Sequence, residues 1–399
     1  MKRTILGCAI VTALAPRYGL AQGTAYAHLD INEVKARINS WGLIGENAAT
    51  AQPDFEVPVG GGAHPLFAAG PWFAGTDAAT QVHLAMIKYE SGVDSDFWPG
   101  PLKDDGTAAI DASVSDAFDQ VWCVSRTDVD LQQAYFTCLA TPGCDASALY
   151  PGYTVPNSFF GWPTNGPVDY DQHLAPFNDF NANGMYDPES GDSPCIPGDR
   201  ACYSVFNDKK LHTTSGGLPL GVQVQLMAFA YTGVDPALDH TIFLLYKAEN
   251  KSTQALQDAY IGLFSDLDLG NYADDLLGSD PARNLFYVCN ADNDDESVGG
   301  STGYGPQPPA FGAVVFSGVL ADPDGTDQSP DSALLAFNGR FQGDAVVDNE
   351  RFGLAIAKPM YAGTGTLGEP TLTGQYYAAL HGQWNDGSPL TYGGNGYGG

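Results

Sequence analysis

Between positions 179 and 192 the chain reads Asp-Phe-Asn-Ala-Asn-Gly-Met-Tyr-Asp-Pro-Glu-Ser-Gly-Asp, and short oxygen-bearing side chains alternate along its first half. Asp179, Asn181 and Asn183 can converge on one point, Gly184 permits a sharp turn, and the Met185 carbonyl and Asp187 follow at the spacing of an EF-hand calcium loop. The chemistry is that of a hard cation, which takes about six to eight oxygen ligands. At the twelfth position Ser190 stands where an EF-hand has its bidentate Glu, so Glu189 or Asp192 must complete the shell. Pro176 lies just before the segment, and Gly191 and Pro194 would break an exit helix. The segment therefore reads as a free-standing calcium loop rather than a helix-loop-helix sensor. The alternative is a surface loop of Asx turns without metal. Against it, Asp179, Asp187, Glu189 and Asp192 would repel one another with no cation between them.

Two further acidic groups follow apolar runs. Asp266, Asp268, Asp274, Asp275 and Asp280 come after Ala259–Ser265, and Asp292, Asp294, Asp295 and Glu296 come after Phe286–Cys289. The Asp266-Leu-Asp268-Leu-Gly270 spacing suits chelation, with a solvated acidic loop as the alternative. The candidate calcium ligands are thus Asp179, Asn181, Asn183, Met185, Asp187, Glu189, Asp192, Asp266 and Asp268.

Catalytic patterns are scarce: there is no His-Glu-x-x-His, Cys-x-x-Cys or Walker loop. Gly363-Thr-Gly365-Thr-Leu-Gly368 matches the dinucleotide fingerprint in form, but Pro370 forbids the helix that would hold the phosphates. The sequence thus points to a calcium-binding structural or adhesive protein. The alternative is an extracellular polysaccharide-acting hydrolase, its carboxylate pair hidden among the acids, or a carbohydrate-binding protein.

The elements that must position these loops read as mainly β, an antiparallel sandwich-like architecture with long calcium-binding loops and a few short helices. Strand signals cover Gly221–Thr232, His240–Asn250 and Ala255–Ser265 as one succession, with Ala313–Leu320 and Arg351–Ala357 as further candidates. Asp30-Ile-Asn-Glu33 caps a predicted short helix with Ile31, Val34 and Ile38 on one face, and a second helix is predicted over Asp128–Leu139, stopped by Pro142-Gly143.

The charge balance is 17 basic against 47 acidic residues, a net −30, which repels nucleic acid and anionic membranes. The acids are 38 Asp and 9 Glu, a skew toward turns and compact oxygen ligands. Lys2 and Arg3 followed by the apolar run Ile5–Ala15 read as an export signal over 1–21, with Cys8 inside it. No other run reaches membrane length, so no transmembrane segment is expected in the mature chain. The remainder divides softly near Asp208–Gly217 into a 22–210 region and a 211–399 region. Six cysteines outlast the leader, and spacing predicts Cys195–Cys202 and Cys138–Cys144 bridges, with Cys123–Cys289 by elimination.

Several stretches together resemble a family of large, uncharacterised surface proteins that Bacteroidota export through type IX secretion. They are Ile31–Asn39, Asp96–Leu102, the 179–192 loop, Pro219–Gln225, Gly262–Gly270 with Asp274-Asp275, Asn290–Glu296, Gln383–Gly387 and Tyr392–Gly398. The resemblance implies export and residence outside the cell, and no particular activity; glycans or other surface proteins are the expected partners. It also implies further β structure and a sorting domain beyond the Gly-rich end.

Overall fold

Val222, Val224, Leu226, Ala228 and Ala230 alternate with Gln223, Gln225 and Met227, and in the computed structural model all of these side chains are buried. Both faces of this strand are therefore covered, one by an apolar layer and one by a layer that hydrogen-bonds the glutamines. The structure describes residues 23–89, 95–233, 235–280, 283–328, 339–361, 363 and 365–391. The export signal and the segment from Tyr392 onward lie outside the described residues.

The principal strands are β1 (Tyr26–Leu29), β2 (Lys35–Asn39), β3 (Ala68–Thr76), β4 (Val82–Met86), β5 (Trp122–Ser125) and β6 (Arg200–Asn207). They continue with β7 (Val222–Ala230), β8 (Phe243–Asn250), β9 (Gln257–Asp266), β10 (Asp275–Asp280), β11 (Leu285–Asn290) and β12 (Ala310–Val314). Two helices matter below, α1 (Arg126–Ala140) and α2 (Thr373–Leu380). The chain is mainly β, and every pairing between these strands is antiparallel.

One sheet runs β8-β7-β6, and the far edge of β6 pairs with β5 and with Trp98-Pro99. A second runs β9-β3-β4, a third β10-β11-β12, and β1 pairs with β2. Leu29, Ile38 and Phe73 meet Phe206, Val224 and Leu226 in one core between the layers. On the opposite face of β6 and β7, Tyr203, Val205 and Met227 pack against Val129, Phe159 and Trp162. That second layer holds its register through polar contacts: Gln223 accepts from the Leu102 amide at 2.8 Å and donates to Asp171 at 2.7 Å, while Gln225 donates to the His173 carbonyl at 3.2 Å. Strands from both sides of 208–217 share one sheet, since β6 pairs with β7 along its whole length.

Four expectations change. Residues 30–38 form no helix but the β1–β2 hairpin. The Asn32 amide donates to the carbonyls of Tyr231, Leu238 and Thr241 and its oxygen accepts from the Val34 amide, so side-chain bonding pins a turn where a helix would begin. Next, β9 does not continue the sheet of β7 and β8 but pairs with β3. The predicted strand at Ala313–Leu320 is instead Ala310–Val314, and Arg351–Ala357 holds only isolated bridges at Arg351.

The fourth change concerns the cysteines. Cys202 bonds Cys123, not Cys195, and Cys289 is a free thiol like Cys195. Cys202 on β6 lies directly opposite Cys123 on β5, with their Cα atoms 4.0 Å apart, so sheet register selects a partner 79 residues away over a nearer one in sequence. The Cys138–Cys144 bridge forms as predicted.

Candidate metal centre

Helix α1 places the 179–192 loop. Ser125 caps it, its hydroxyl accepting from the Asp128 amide at 3.1 Å, and the helix runs to the Pro-Gly turn that ends it. From the buried face of α1, Gln132 donates to the carbonyls of Pro188 and Asp192 at 2.7 and 2.9 Å. Below the loop, Phe177-Asn178 pairs with Ser193-Pro194, closing it as the tip of a short hairpin. Tyr186 anchors the middle by donating to the Phe159 carbonyl at 2.8 Å.

Within this frame the predicted ligands come together. Asp179 accepts from the amides of Asn183 and Gly184 at 3.2 and 2.7 Å, and Gly184 takes φ +77°, as the turn requires. The side-chain oxygens of Asn181 and Asn183 accept from the amides of Asn183 and Met185. Each of these oxygens retains a lone pair for a cation. Both amide nitrogens donate to Asp187 at 3.2 Å, one to each carboxylate oxygen. These neutral donors are a weak substitute for positive charge, and among the described residues no Lys, Arg or His pairs with Asp179, Asp187 or Asp192.

Asp192, and not Glu189, closes the loop. Glu189 is exposed, whereas Asp192 is fully buried and accepts from the amides of Phe180 and Asp187 at 2.8 and 2.9 Å. Burial and the neighbouring Asp187 charge push its pKa up against those two amides. Met185 sits at the exposed tip, its side chain 65 % accessible.

The second acidic group is split by the fold. Asp268 faces the negative charge of Asp275, and burial with that charge raises it to about 6. Burial, opposed by the Leu269 amide and reinforced by the charges of Asp274 and Asp295, raises Asp275 to about 6 as well. Asp266 is raised to about 7 by burial and by the charges of Asp268 and Glu369, opposed by Lys88. Glu369 in turn is held by Lys88 at 2.6 Å and Tyr89 at 2.7 Å.

Sequence order kept Asp275 apart from the 292–296 acids and left out Asn290, but the β10–β11 register sets Asp275 directly opposite Asn290. Asp295, 1 % exposed, accepts from the amides of Asn271 and Tyr304, and a Cβ on Gly270 would meet its carboxylate at 2.2 Å. Asp274, Asp275 and Asn290 each leave one buried side-chain oxygen with no donor. Buried oxygens without donors beside like charges fit a cation far better than they fit one another. Among the described residues no three His, Cys, Asp or Glu side chains already stand at coordinating distance from one point. A cation at either place would therefore need Asn and main-chain oxygens in its shell, which calcium accepts.

The carboxyl shifts give a pH prediction for the metal-free protein. A carboxyl with a raised folded pKa binds more protons folded than unfolded, so stability falls as pH rises from about 4 through the folded value. For Asp268, Asp275 and Asp266 that window closes near 6 to 7, and Asp96 and Asp208, also raised by burial, act in the same sense. Asp171, lowered to about 2 by hydrogen bonds and the Lys251 charge that outweigh its burial, acts only below about pH 4. In chelator, the urea midpoint should therefore be higher at pH 5 than at pH 7.5. A midpoint that rises with pH across this range contradicts the shifts.

Comparison with protein-family models, with curated proteins and with solved structures finds no match to this chain.

Proposed function

We propose that this chain is a calcium-binding structural protein of the cell exterior, in which cations fasten long acidic loops to an antiparallel β framework. The observation that carries the reading is the 179–192 loop. There Asp179, Asn181, Asn183 and Asp187 gather above the buried Asp192 with no positive side chain among the described residues to balance them. Asp179, Asn181, Asn183, Asp187 and Asp192, with the Met185 carbonyl, would hold the ion. Asp268, Asp275 and Asn290 would hold a second, helped by Asp274 or Asp295. Glu189, which is exposed, drops out of the set, while Asp266 stands between the Asp268 charge and the Lys88–Glu369 pair.

The bound ion would supply charge neutralisation and loop rigidity. The protein's own part is to hold the loop ends: Gln132 and the Phe177–Pro194 ladder do so at the first centre, Gly270 and the β10–β11 register at the second. Two disulfides, the leader at the start of the sequence and the family resemblance support residence outside the cell. Amide hydrogen exchange tests the structural role. Calcium should slow exchange most at 179–192 and 268–295 and leave β6 and β7 unchanged. Protection spread evenly over the chain, or none at these loops, contradicts it.

A further inference from the structure

We propose that the groove between helix α1 and the 179–192 loop binds a neutral oligosaccharide. The proposal rests on the calcium reading only in that the loop forms one wall. Two hollows, of about 570 and 330 Å³, adjoin along α1, since Gln133 and Thr137 line both. The larger extends to Tyr150 and the Cys138–Cys144 bridge; the smaller ends at Asp179 and Phe180. Both hollows are shallow and open to solvent, so they suit a stretch of polymer lying along the surface rather than a small molecule enclosed in a cavity.

The walls are fixed independently of any ligand. The bridge pins the chain after α1, and Gln132 ties α1 to the carbonyls of Pro188 and Asp192. The floor at Gly191 takes φ +113°, where a Cβ would come within 2.7 Å of the Phe180 ring. Phe180 packs on Phe136 with ring centres 6.1 Å apart and remains 40 % exposed at the groove edge.

The lining selects the ligand class. It holds amide, hydroxyl and carboxylate groups, two aromatic rings, and no Lys, Arg or His. With Asp179 engaged by the cation, Asp130 remains as the one free carboxylate of the lining, and it disfavours phosphorylated ligands and acidic glycans. Sugar hydroxyls match Asp130, Gln133 and Thr137 as donors and acceptors, and the C–H face of a sugar ring matches the exposed ring of Phe180 and the half-buried ring of Tyr150, which packs edge-on against Tyr135.

Affinity electrophoresis of the full chain in calcium, through gels containing xylan, mixed-linkage β-glucan, galactomannan or alginate, tests this. At least one of the three neutral polymers should retard the wild type, and Gln133→Ala and Asp130→Ala should each weaken that retention about five- to tenfold, the loss of one hydrogen bond. Calcium uptake by the same samples, followed calorimetrically, reports whether the loop is intact. Retention lost in both variants with calcium uptake unchanged supports the groove. Retention by none of the neutral polymers, by alginate alone, or equally by wild type and variants overturns it, whatever the calcium result. Loss of calcium uptake in the wild type fails the metal reading instead.

Discussion

Chelating calcium lowers the melting temperature of the wild-type chain, and Asp187→Asn removes the share of that response that belongs to the 179–192 loop. A cation that binds only the folded state stabilises it by about 2.7 kcal/mol when its free concentration is a hundredfold above the dissociation constant. For a chain of this size that corresponds to a shift of about 3 °C per site. Asp187 is the informative position because both Asn181 and Asn183 donate to it, so one substitution removes the charge at the convergence point without enlarging or emptying the loop. Asp268→Asn should remove the share of the second centre. The two loops share no partner in the structure, so the two losses should add, and the double variant should melt at one temperature with or without calcium. Equal melting temperatures of the wild type in calcium and in chelator contradict the prediction.

Replacing Cys123 and Cys202 together by alanine costs about 4 kcal/mol, the largest loss expected among the cysteine substitutions. The bridge closes a span of 79 residues, and cross-linking that length removes denatured-state entropy worth roughly 4.5 kcal/mol on the chain-closure account. The Cys138–Cys144 bridge spans 6 residues and should be worth about half as much. Cys195→Ala should leave stability unchanged, because Cys195 is exposed and unbridged. Urea unfolding of the three variants orders them. A Cys195→Ala loss as large as that of the Cys123–Cys202 pair reverses the assignment.

This pairing also shows where local sequence reading stops. Spacing favoured Cys195 with Cys202 because short loops close easily, but sheet register places Cys202 directly across from Cys123, and no local signal encodes register between strands so far apart. The α1 helix was legible because its Pro-Gly stop is local, although its Ser125 cap sets the start two residues before the predicted Asp128. The Asp30–Glu33 turn was misread because its signal, Ser/Asp-like capping chemistry, serves turns and helices alike, and the carbonyls that decide the matter come from residues near 231–241. β7 was legible as a strand from its alternation, yet nothing local showed that Gln223 and Gln225 face a second buried layer.

The candidate site divides the same way. The 179–192 residues lie within one short segment, so spacing alone brings them together, and of the two residues that spacing offered for the twelfth-position role, Asp192 is the one whose carboxylate accepts from the loop's own amides. The second centre is assembled from three segments. Asp275 meets Asn290 through the β10–β11 ladder, and Asp295 reaches Gly270 and Asn271 from the loop after β11, so the sequence showed two acidic runs where the fold has one cluster.

Calorimetric titration of the full, chelator-stripped chain with calcium at pH 7.5 is the most direct test of the central claim. The wild type should take up calcium at two sites, Asp187→Asn at one, and the Asp187→Asn/Asp268→Asn double variant at none. A wild type that binds no calcium at millimolar concentration, or an Asp187→Asn variant that binds as the wild type does, would contradict the claim and leave the 179–192 segment a loop of Asx turns.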